Sequence, residues 1–290
     1  MNKITPFLSL KRILSFTLLL VIYSAPTYGV TIKLVESTNN NSDYAIGLLK
    51  LALSKSSTPY QFEETIEPTT TARLVEMLNK GTLDVFWVVT NREWEEKMLP
   101  IRVPLYRGLL GYRVLMIRKG NQGKFDGIQT ISDLNRISIG QGRSWADTDI
   151  LESNGINVVK ATKYDSLFHM LDGKRFDAFP RGIQEPWAEI QSRPDLALEV
   201  EKNLLIAYTS PYYLFVQKNN IELAREIESG LMTAIEDGSF EEYFFNYPTI
   251  KDILKKANLN SRTVIHLNNP LLPEATPLDK KELWLDPYSI

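Results

Sequence analysis

The same helix–turn–strand pattern occurs twice along the chain, at residues 74–86 and again at residues 167–179. Leu, Met, Leu, Asp and Phe stand at the same places in both copies. A helix that packs on a sheet needs the leucines and the methionine at helical spacing, whereas packing alone does not require the matching aspartate and phenylalanine. We therefore interpret the two segments as equivalent parts of two similar lobes.

Strand and helix patterns alternate through most of the chain, as they do in α/β proteins with parallel sheets. The first series consists of residues 31–36, 44–53, 60–64, 71–78 and 85–89. The second series consists of residues 137–140, 146–152, 157–160, 164–171, 175–179 and 184–191. The wholly apolar strand 85–89 is expected to be buried on both faces of a parallel sheet. The sequence thus predicts an α/β fold of two lobes, each a mostly parallel sheet flanked by helices.

Two extended segments rich in β-forming residues, 109–117 and 208–216, follow the first and second series. We expect them to be hinge strands through which the chain crosses from one lobe to the other and back. The helical pattern at 221–235 would then pack on the first lobe, with Gly238 ending it. The expected boundaries are lobe 1 at 30–113 and 210–257, lobe 2 at 114–209, and an extended, proline-containing C-terminal tail at 258–290.

The N-terminus has the pattern of an export signal. Basic residues come first, then an apolar run and then mostly small residues: Lys3, Lys11 and Arg12, residues 13–22, and residues 24–29. The apolar run is about half of the roughly 20 residues that cross a bilayer as a helix, which favours a cleavable signal peptide over an anchor. We expect residues 1–29 to be removed and the mature protein to reside in the periplasm.

The composition argues against several kinds of site. The chain has no cysteine, which excludes disulfides, thiolate metal sites, thiol nucleophiles and a lipid-modified N-terminal cysteine. Its two histidines, His169 and His266, have no metal-ligand neighbours at a useful spacing. Its 33 basic residues, some of them in the signal peptide, are outnumbered by 35 acidic ones, which argues against nucleic acid as a partner. We therefore expect no cofactor and no metal.

Several short motifs occur in a recognisable order and spacing. They are Leu78-Asn-Lys-Gly81-Thr-Leu-Asp84-Val85, Pro104-Leu-Tyr106, Ser132-Asp-Leu134 with Ile137-Ser-Ile-Gly140, Gly173-Lys-Arg-Phe-Asp177-Ala178 and Glu236-Asp-Gly238. Over about residues 30–248 the chain resembles family 3 of the bacterial extracellular solute-binding proteins, which includes periplasmic receptors for polar amino acids. The resemblance implies a type II periplasmic binding fold whose lobes close over a ligand by hinge motion. It also implies that the protein is not an enzyme and that an ABC permease or a membrane sensor reads its closed shape; we expect a monomer.

In open α/β sheets, ligands bind beyond the carboxyl ends of the strands. The residues at or after three such ends are the expected ligand-binding residues: Trp87, Thr90, Arg92, Arg143, Ser144, Trp145, Arg181 and Glu185. The glycine-containing turn before Trp145 offers backbone N–H groups at a helix N-terminus, which suit an anion. Alternatively, Ser144 could only cap that helix, Trp87 could be a core residue, and Arg92 could be solvated.

The candidate site departs from the family's amino-acid receptors at two positions. Those receptors have an arginine three residues after the position of Thr90, whereas this chain has Arg92 only two residues after it. They often have an aspartate where this chain has Gly182, and Glu185 is the nearest replacement for that acid. The planar guanidinium of Arg181 favours an anionic or carbonyl-bearing ligand.

The sequence therefore predicts a binding protein for a small polar molecule, carboxylate-bearing and amino-acid-like. The alternative from another class is an enzyme, since some proteins of this fold are dehydratases that act on small carboxylic acids. A third possibility is a domain that has lost its ligand and has a cleft filled by its own side chains. Asp84 and Asp177 resemble paired catalytic carboxylates, but their equivalent positions at strand starts predict that each stabilises a turn.

Overall fold

The computed structural model describes residues 29–37, 40–286 and 288. The expected signal peptide, apart from Gly29, lies outside the described residues. Within those ranges no helix is both long and apolar enough to span a membrane. The described chain forms three sheets with helices packed around them, which is the α/β class that the sequence predicts.

Up to residue 101 the chain alternates strands and helices. The elements are β1 (Val30–Val35), α1 (Asn40–Leu53), β2 (Tyr60–Ile66), α2 (Thr71–Asn79), β3 (Val85–Val89), α3 (Arg92–Lys97) and β4 (Met98–Ile101). β1 and β2 pair in parallel. Ile32 and Leu34 on β1 and Leu48 on α1 are buried in one apolar core. α2 begins after Thr70, whose side chain accepts a hydrogen bond from a backbone N–H of the first turn.

Residues 112–207 form a second series of elements. They are β5 (Tyr112–Arg118), α4 (Ile131–Leu134), β6 (Ile139–Gly142), α5 (Ala146–Ser153), β7 (Val158–Ala161), α6 (Tyr164–Asp172), β8 (Ala178–Gly182), α7 (Pro186–Gln191), β9 (Leu198–Val200) and β10 (Leu204–Ala207). The buried residues of α6 that pack on the sheet are Leu167, Phe168 and Leu171. The apolar spacing of this helix therefore determines which of its faces packs on the sheet.

The chain then returns to the part formed by its first hundred residues. The remaining elements are β11 (Tyr212–Gln217), α8 (Ile221–Glu236), α9 (Ser239–Asn246), α10 (Pro248–Ala257) and β12 (Thr263–His266). β11 pairs with both β3 and β4. α8 packs so closely on α1 that a Cβ at Gly230 would lie 2.0 Å from the backbone oxygen of Ala52, and only glycine permits this approach.

The sheets define two lobes. The first lobe contains the pair β1–β2 and the three-stranded sheet β3–β11–β4. The second lobe contains the larger sheet, in the order β12–β10–β5–β8–β6–β7, with β9 also paired to β5. The chain crosses between the lobes at residues 102–111 and 208–211, and we call these segments the first and second crossovers.

The expectation that β3 lies within a parallel sheet is wrong. Its hydrogen-bonded neighbour β11 runs antiparallel to it, with Val85 opposite Val216 and Val89 opposite Tyr212. β11 enters the first lobe from the second crossover, at the end where β3 leaves the sheet, and therefore runs in the opposite direction. Burial also decreases along β3, because Val85 is fully buried whereas Val89 is 39% exposed where the strand reaches the space between the lobes.

The two repeated aspartates stabilise turns, as the sequence predicts. The Asp84 carboxylate accepts the backbone N–H of Lys33 on β1 at 2.7 Å. The Asp177 carboxylate accepts the backbone N–H of Ser138, just before β6, at 2.9 Å and the hydroxyl of the same residue at 3.0 Å. Each aspartate thus ties the turn before one strand to a neighbouring strand, which explains why both copies of the repeat contain it.

Replacing Asp177 by alanine should lower the free energy of unfolding by about 1–2 kcal/mol, because the donors of Ser138 lose their acceptor. Burial alone would raise the pKa of Asp177, but hydrogen bonds from Lys124 and Ser138 outweigh it and hold the pKa below its usual range. This stabilisation is therefore complete above the unfolded pKa of about 3.9 and is lost as the pH falls through the lower folded pKa. Urea denaturation between pH 2 and 7 measures both effects, with Asp195→Ala at an exposed site as the control.

The C-terminal segment holds more structure than an extended tail. β12 pairs in parallel with β10 and so extends the sheet of the second lobe. Before it, the buried side chain of Arg262 donates to the backbone oxygens of Glu201 and Leu204 at 2.7 and 2.9 Å. After it, Leu283 and Leu285 are buried in the large apolar core. The sequence did not indicate this strand or these buried contacts, because short apolar pairs between prolines give no periodic signal.

Candidate functional site

A cavity of about 560 Å³ lies between the two lobes, and we call it the cleft. The first lobe contributes the end of β3 and the start of α3, and the second lobe contributes the start of α5 and the end of β8. The two crossovers and residues after β12 complete the wall. The carboxyl ends of β3 and β8 therefore meet at the cleft, where α/β sheets place their ligands.

A partly buried charge pair joins β5 to α5 at the floor of the cleft. Arg113 Nε donates to Asp147 Oδ1 at 2.6 Å. The hydroxyl of Tyr208, in the second crossover, donates to the same carboxylate oxygen. The guanidinium carbon of Arg113 also lies 4.9 Å from the centroid of the Tyr208 ring. These three residues connect the second crossover with β5 and α5 of the second lobe.

The pKa values of this group follow from its burial and its contacts. Burial disfavours the charge on Arg113, but Tyr208 and Asp147 outweigh this effect and raise its pKa. Burial would raise the pKa of Asp147, but the charge and hydrogen bond of Arg113 lower it on balance. Burial also raises the pKa of Tyr208 well above 10, so its hydroxyl is a neutral donor. The arginine and the aspartate are both charged at neutral pH.

A second charge cluster stands at the end of β8. Arg181 donates to both oxygens of Glu189, with its shortest bonds at 2.6 Å from Nη2 and 2.9 Å from Nε. The same Nη2 atom lies 2.9 Å from a carboxylate oxygen of Glu185. The guanidinium of Arg181 is therefore already neutralised, because it pairs with the carboxylates of both Glu185 and Glu189.

Aromatic rings enclose the guanidinium of Arg181. Its central carbon lies 4.9–5.5 Å from the ring centroids of Phe179, Trp145 and Tyr164, at distances where cation–π attraction operates. The arginine is only 8% exposed. Tyr164 also donates its hydroxyl to Glu189. The position of Arg181 is thus determined from every side, and its loss would leave Glu189 without its main partner.

Glu185 is the carboxylate of this cluster that faces the cleft. One of its oxygens accepts the backbone N–H of Gly182 at 2.7 Å. Burial is the main reason that the pKa of Glu185 is raised, with Glu189 adding to it and Arg181 opposing it. A raised pKa means that charge on this carboxylate is costly in the free protein, so a cationic group of a ligand would gain by pairing with it.

The wall from the first lobe is polar and aromatic. Thr90 donates its hydroxyl to Glu95 at 2.8 Å, and Glu95 also binds Arg102. The side chain of Asn91 accepts the backbone N–H of Trp94 at 2.8 Å and caps α3. This cap places Trp94 at the cleft, opposite the charge clusters of the second lobe.

Four of the residues expected to bind ligand line the cleft together. They are Thr90, Trp145, Arg181 and Glu185. They come from β3, the N-terminus of α5 and the end of β8, as the strand-end rule predicts. Four of the eight expected residues therefore line this one cavity.

The other four expected residues lie elsewhere. Trp87 is a core residue, 6% exposed, because its side chain points into the sheet's packed face. Arg92 is exposed in the first turn of α3, since Asn91 caps that helix and turns the next residue outward. Arg143 and Ser144 are exposed in the turn before α5, and Trp145 takes the N-cap position without a side-chain cap bond.

Sequence reasoning missed the floor of the cleft and part of its rim. Arg113, Asp147 and Tyr208 line the floor, and Asn269 and Leu271 reach it from the C-terminal segment. One signal for Arg113 was present, because an arginine within an otherwise apolar strand needs a buried acidic partner. No local pattern identifies residues 147 and 208 as its partners.

Comparisons with known proteins bear on the fold. No family model matches the chain, and no curated protein matches it in sequence. A binding protein of Bacillus subtilis, YtmK, assigned to an amino-acid ABC transporter, is 16% identical with a TM-score of 0.51 over 78% of this chain and 99% of that one. The second substrate-binding domain assigned to an amino-acid ABC transporter of Streptococcus pneumoniae is 13% identical with a TM-score of 0.51 over 76% and 99%. YckB of Bacillus subtilis is 15% identical with a TM-score of 0.50 over 78% and 92%.

These similarities at low identity establish the architecture of the chain. The chain has the two-lobed type II periplasmic binding fold. The resemblance that the sequence motifs carried is therefore confirmed at the level of the fold. Two of these solved neighbours are described as binding components of amino-acid ABC transporters.

Proposed function

We propose that this protein is a periplasmic solute-binding protein that captures a small, polar, amino-acid-like molecule between its lobes. The observation that carries the proposal is the cleft, an open space of about 560 Å³ where the two lobes meet. Its size suits a small ligand, and it is not filled by the protein's own side chains. The protein binds its ligand without chemistry and presents the closed form to an ABC permease or a membrane sensor.

The charges of the cleft favour a zwitterionic ligand over a simple anion. Arg113 and Arg181 line it together with Asp147 and Glu185, so positive and negative side chains are matched there. A carboxylate of the ligand would approach Arg113, and its ammonium group would approach Glu185, whose charge burial disfavours. Trp94 and Trp145 would cover the apolar part of the ligand. A zwitterion can pair with both the arginines and the carboxylates of the cleft. A simple anion would be repelled by the carboxylate of Glu185.

The strands support the lobe boundaries that we propose. The first lobe comprises residues 30–113 and 210–257, and the second comprises residues 114–209. The second-lobe strands β5 to β10 fall between residues 112 and 207, so β5 begins two residues before the proposed boundary, and β11 returns to the first-lobe sheet. Residues 1–29 are proposed as the signal peptide that directs the chain to the periplasm.

Glu185→Gln should weaken binding of amino acids about tenfold or more, because the ligand's ammonium loses its charged partner. Glutamine keeps an acceptor for the Gly182 N–H, so the fold should persist. The affinity of the parent protein should also fall as the pH is lowered through the raised pKa of Glu185, and the variant should lack this dependence. Isothermal titration with the twenty L-amino acids, repeated across pH, measures both effects.

Glu199→Gln is a matched control for this experiment. Glu199 likewise accepts a backbone glycine N–H, that of Gly120 at 2.7 Å, but it lies on β9 away from the cleft. Equal affinity in the Glu185 variant and the parent would remove Glu185 from the site. Analysis of the ligand after binding tests the other half of the proposal, because recovery of a converted product would show an enzyme instead.

A further inference from the structure

The segment after α10 contacts both lobes, and its first anchor is on the second lobe. β12 pairs with β10 from Leu204 opposite Thr263 to Ala207 opposite His266. Directly after it, the backbone N–H of Asn268 donates to the side chain of Asn154 at 2.9 Å, and Asn154 donates back to the oxygen of Asn268 at 2.8 Å. Asn154 caps the C-terminal end of α5, so this reciprocal pair holds the segment on the helix whose first turn lines the cleft.

The next residues of the segment reach the cleft. Asn269 donates its side-chain amide to the backbone oxygen of Thr209, in the second crossover, at 2.9 Å. Its side-chain oxygen accepts the N–H of Leu271 at 2.9 Å, which determines the direction of the turn. Asn269 and Leu271 both line the cleft. A ligand there would therefore meet a third wall in addition to those of the two lobes.

The segment ends on the first crossover and on the first residue of β5. The backbone N–H of Leu285 donates to the oxygen of Arg107, in the crossover, at 2.8 Å, and the hydroxyl of Tyr112, on β5, donates to the oxygen of Leu285 at 2.6 Å. Arg107 also pairs with Glu241, on α9 of the first lobe, at 3.1 Å. Leu285 is 5% exposed, so apolar burial as well as hydrogen bonding holds this second anchor.

We propose that residues 263–286 form a third connection between the lobes, which supplies Asn269 and Leu271 to the ligand site and limits how far the cleft opens. Two crossovers alone permit hinge rotation, because the lobes are otherwise free to separate. The segment is anchored on the second lobe at residues 263–268 and on the first crossover at Leu285. It must therefore stretch or detach when the two lobes separate. The ligand role of Asn269 rests on the function proposed above, whereas the restriction of opening does not.

The restriction has a consequence for affinity. A binding-competent arrangement that is more populated in the free protein raises the apparent affinity by the same factor. Restricting the open state therefore tightens ligand capture without any new contact. Weakening the anchor at Leu285 should then lower affinity even though this residue lies outside the cleft.

The test measures the distance between the lobes in the absence of ligand. Because the chain has no cysteine, spin labels can be placed uniquely at His169→Cys on α6 and Glu228→Cys on α8, both exposed. Double electron–electron resonance should give a narrow distance distribution for the full chain. Leu285→Ala should broaden it and shift it to longer distances. An unchanged distribution would overturn the third connection.

Two further variants keep this measurement decisive. Leu278→Ala removes the same side chain from the same segment at a position that is 55% exposed, and it should leave the distribution unchanged. If Leu285→Ala fails to fold, Tyr112→Phe removes only the hydroxyl that holds the oxygen of Leu285, and it should produce the same broadening to a smaller degree. Identical distributions for Tyr112→Phe and the parent would then contradict the proposal.

The ligand contact is tested separately with the amino acid that binds the parent protein most tightly among the twenty. Asn269→Ala should weaken its binding about tenfold, whereas Asn220→Ala, which removes the N-cap of α8 far from the cleft, should not. Equal binding by the Asn269 variant and the parent would remove Asn269 from the site. Absence of binding by every amino acid would contradict the proposed function, and the distance measurement would still decide the third connection.

Discussion

Arg113→Met should lower the free energy of unfolding by about 3 kcal/mol and should abolish measurable binding of amino acids. Removing one partner of a buried ion pair leaves an uncompensated charge, which typically costs about 3–5 kcal/mol. Here Asp147 would keep only the hydroxyl of Tyr208 as a partner. Its side chain is 23% exposed, and the partial access of water places the expected cost near the lower end. Urea denaturation and calorimetric titration of the purified variant measure the two losses.

A double variant separates the effect of the unpaired charge from the effect of the changed side-chain shape. Arg113→Met combined with Asp147→Asn removes both charges, and asparagine still accepts the hydrogen bond of Tyr208. The double variant should recover most of the lost stability without recovering binding, since the ligand's carboxylate still lacks Arg113. Arg136→Met is the control, because Arg136 is 76% exposed in its pair with Asp133 and such pairs contribute at most about 1 kcal/mol. Equal losses for Arg113→Met and Arg136→Met would show that the buried pair is not important for stability.

The helices that pack on the sheets were the most predictable part of the fold. Apolar spacing placed helices at 146–152, 164–171 and 221–235, and the structure has α5 at Ala146–Ser153, α6 at Tyr164–Asp172 and α8 at Ile221–Glu236. An amphipathic helix carries its signal within itself, because its buried face recurs every three or four residues. α3 carried no such signal, because five of its six residues are charged and none of the six is buried.

Strand ends were less predictable, for a reason connected with the site. The pattern placed a strand at 175–179, whereas β8 runs from Ala178 to Gly182. Its last residues, Pro180, Arg181 and Gly182, have the composition of a turn, yet all three are buried and paired with β5. Turn-forming and charged residues at a strand end weaken the strand pattern there, so the sequence placed this strand too early.

The charge clusters of the cleft could not be predicted from local sequence. Arg113 lies on β5, Asp147 on α5 and Tyr208 in the second crossover, and their proximity results from the topology alone. Arg181 was expected to bind an anionic or carbonyl-bearing ligand, but Glu189, on α7, already neutralises it. Long-range pairing of this kind neutralises Arg181, and the sequence around that residue does not reveal it.

The close approach of the two crossovers depends on Gly111. A Cβ at this position would lie 1.9 Å from the backbone oxygen of Tyr208 and 3.2 Å from the backbone nitrogen of Ser210. Real Cβ atoms do not approach a backbone oxygen so closely, so one crossover would have to move away from the other. The backbone hydrogen bond from Tyr208 to the oxygen of Gly111, 3.2 Å long, would be strained by the same movement. The two crossovers and the floor of the cleft meet at this point.

Gly111→Ala should therefore lower the free energy of unfolding by about 1–3 kcal/mol, the usual cost of overpacking. It should also weaken binding by about tenfold or more, because a displaced Tyr208 no longer positions Asp147 and Arg113 for the ligand. The matched control is Gly127→Ala, where an added Cβ would meet nothing within 4 Å, and both quantities should remain near those of the parent. If Gly111→Ala bound amino acids as tightly as the parent, the geometry of the crossovers would not determine the geometry of the cleft, and ligand recognition would have to depend on the lobe surfaces alone.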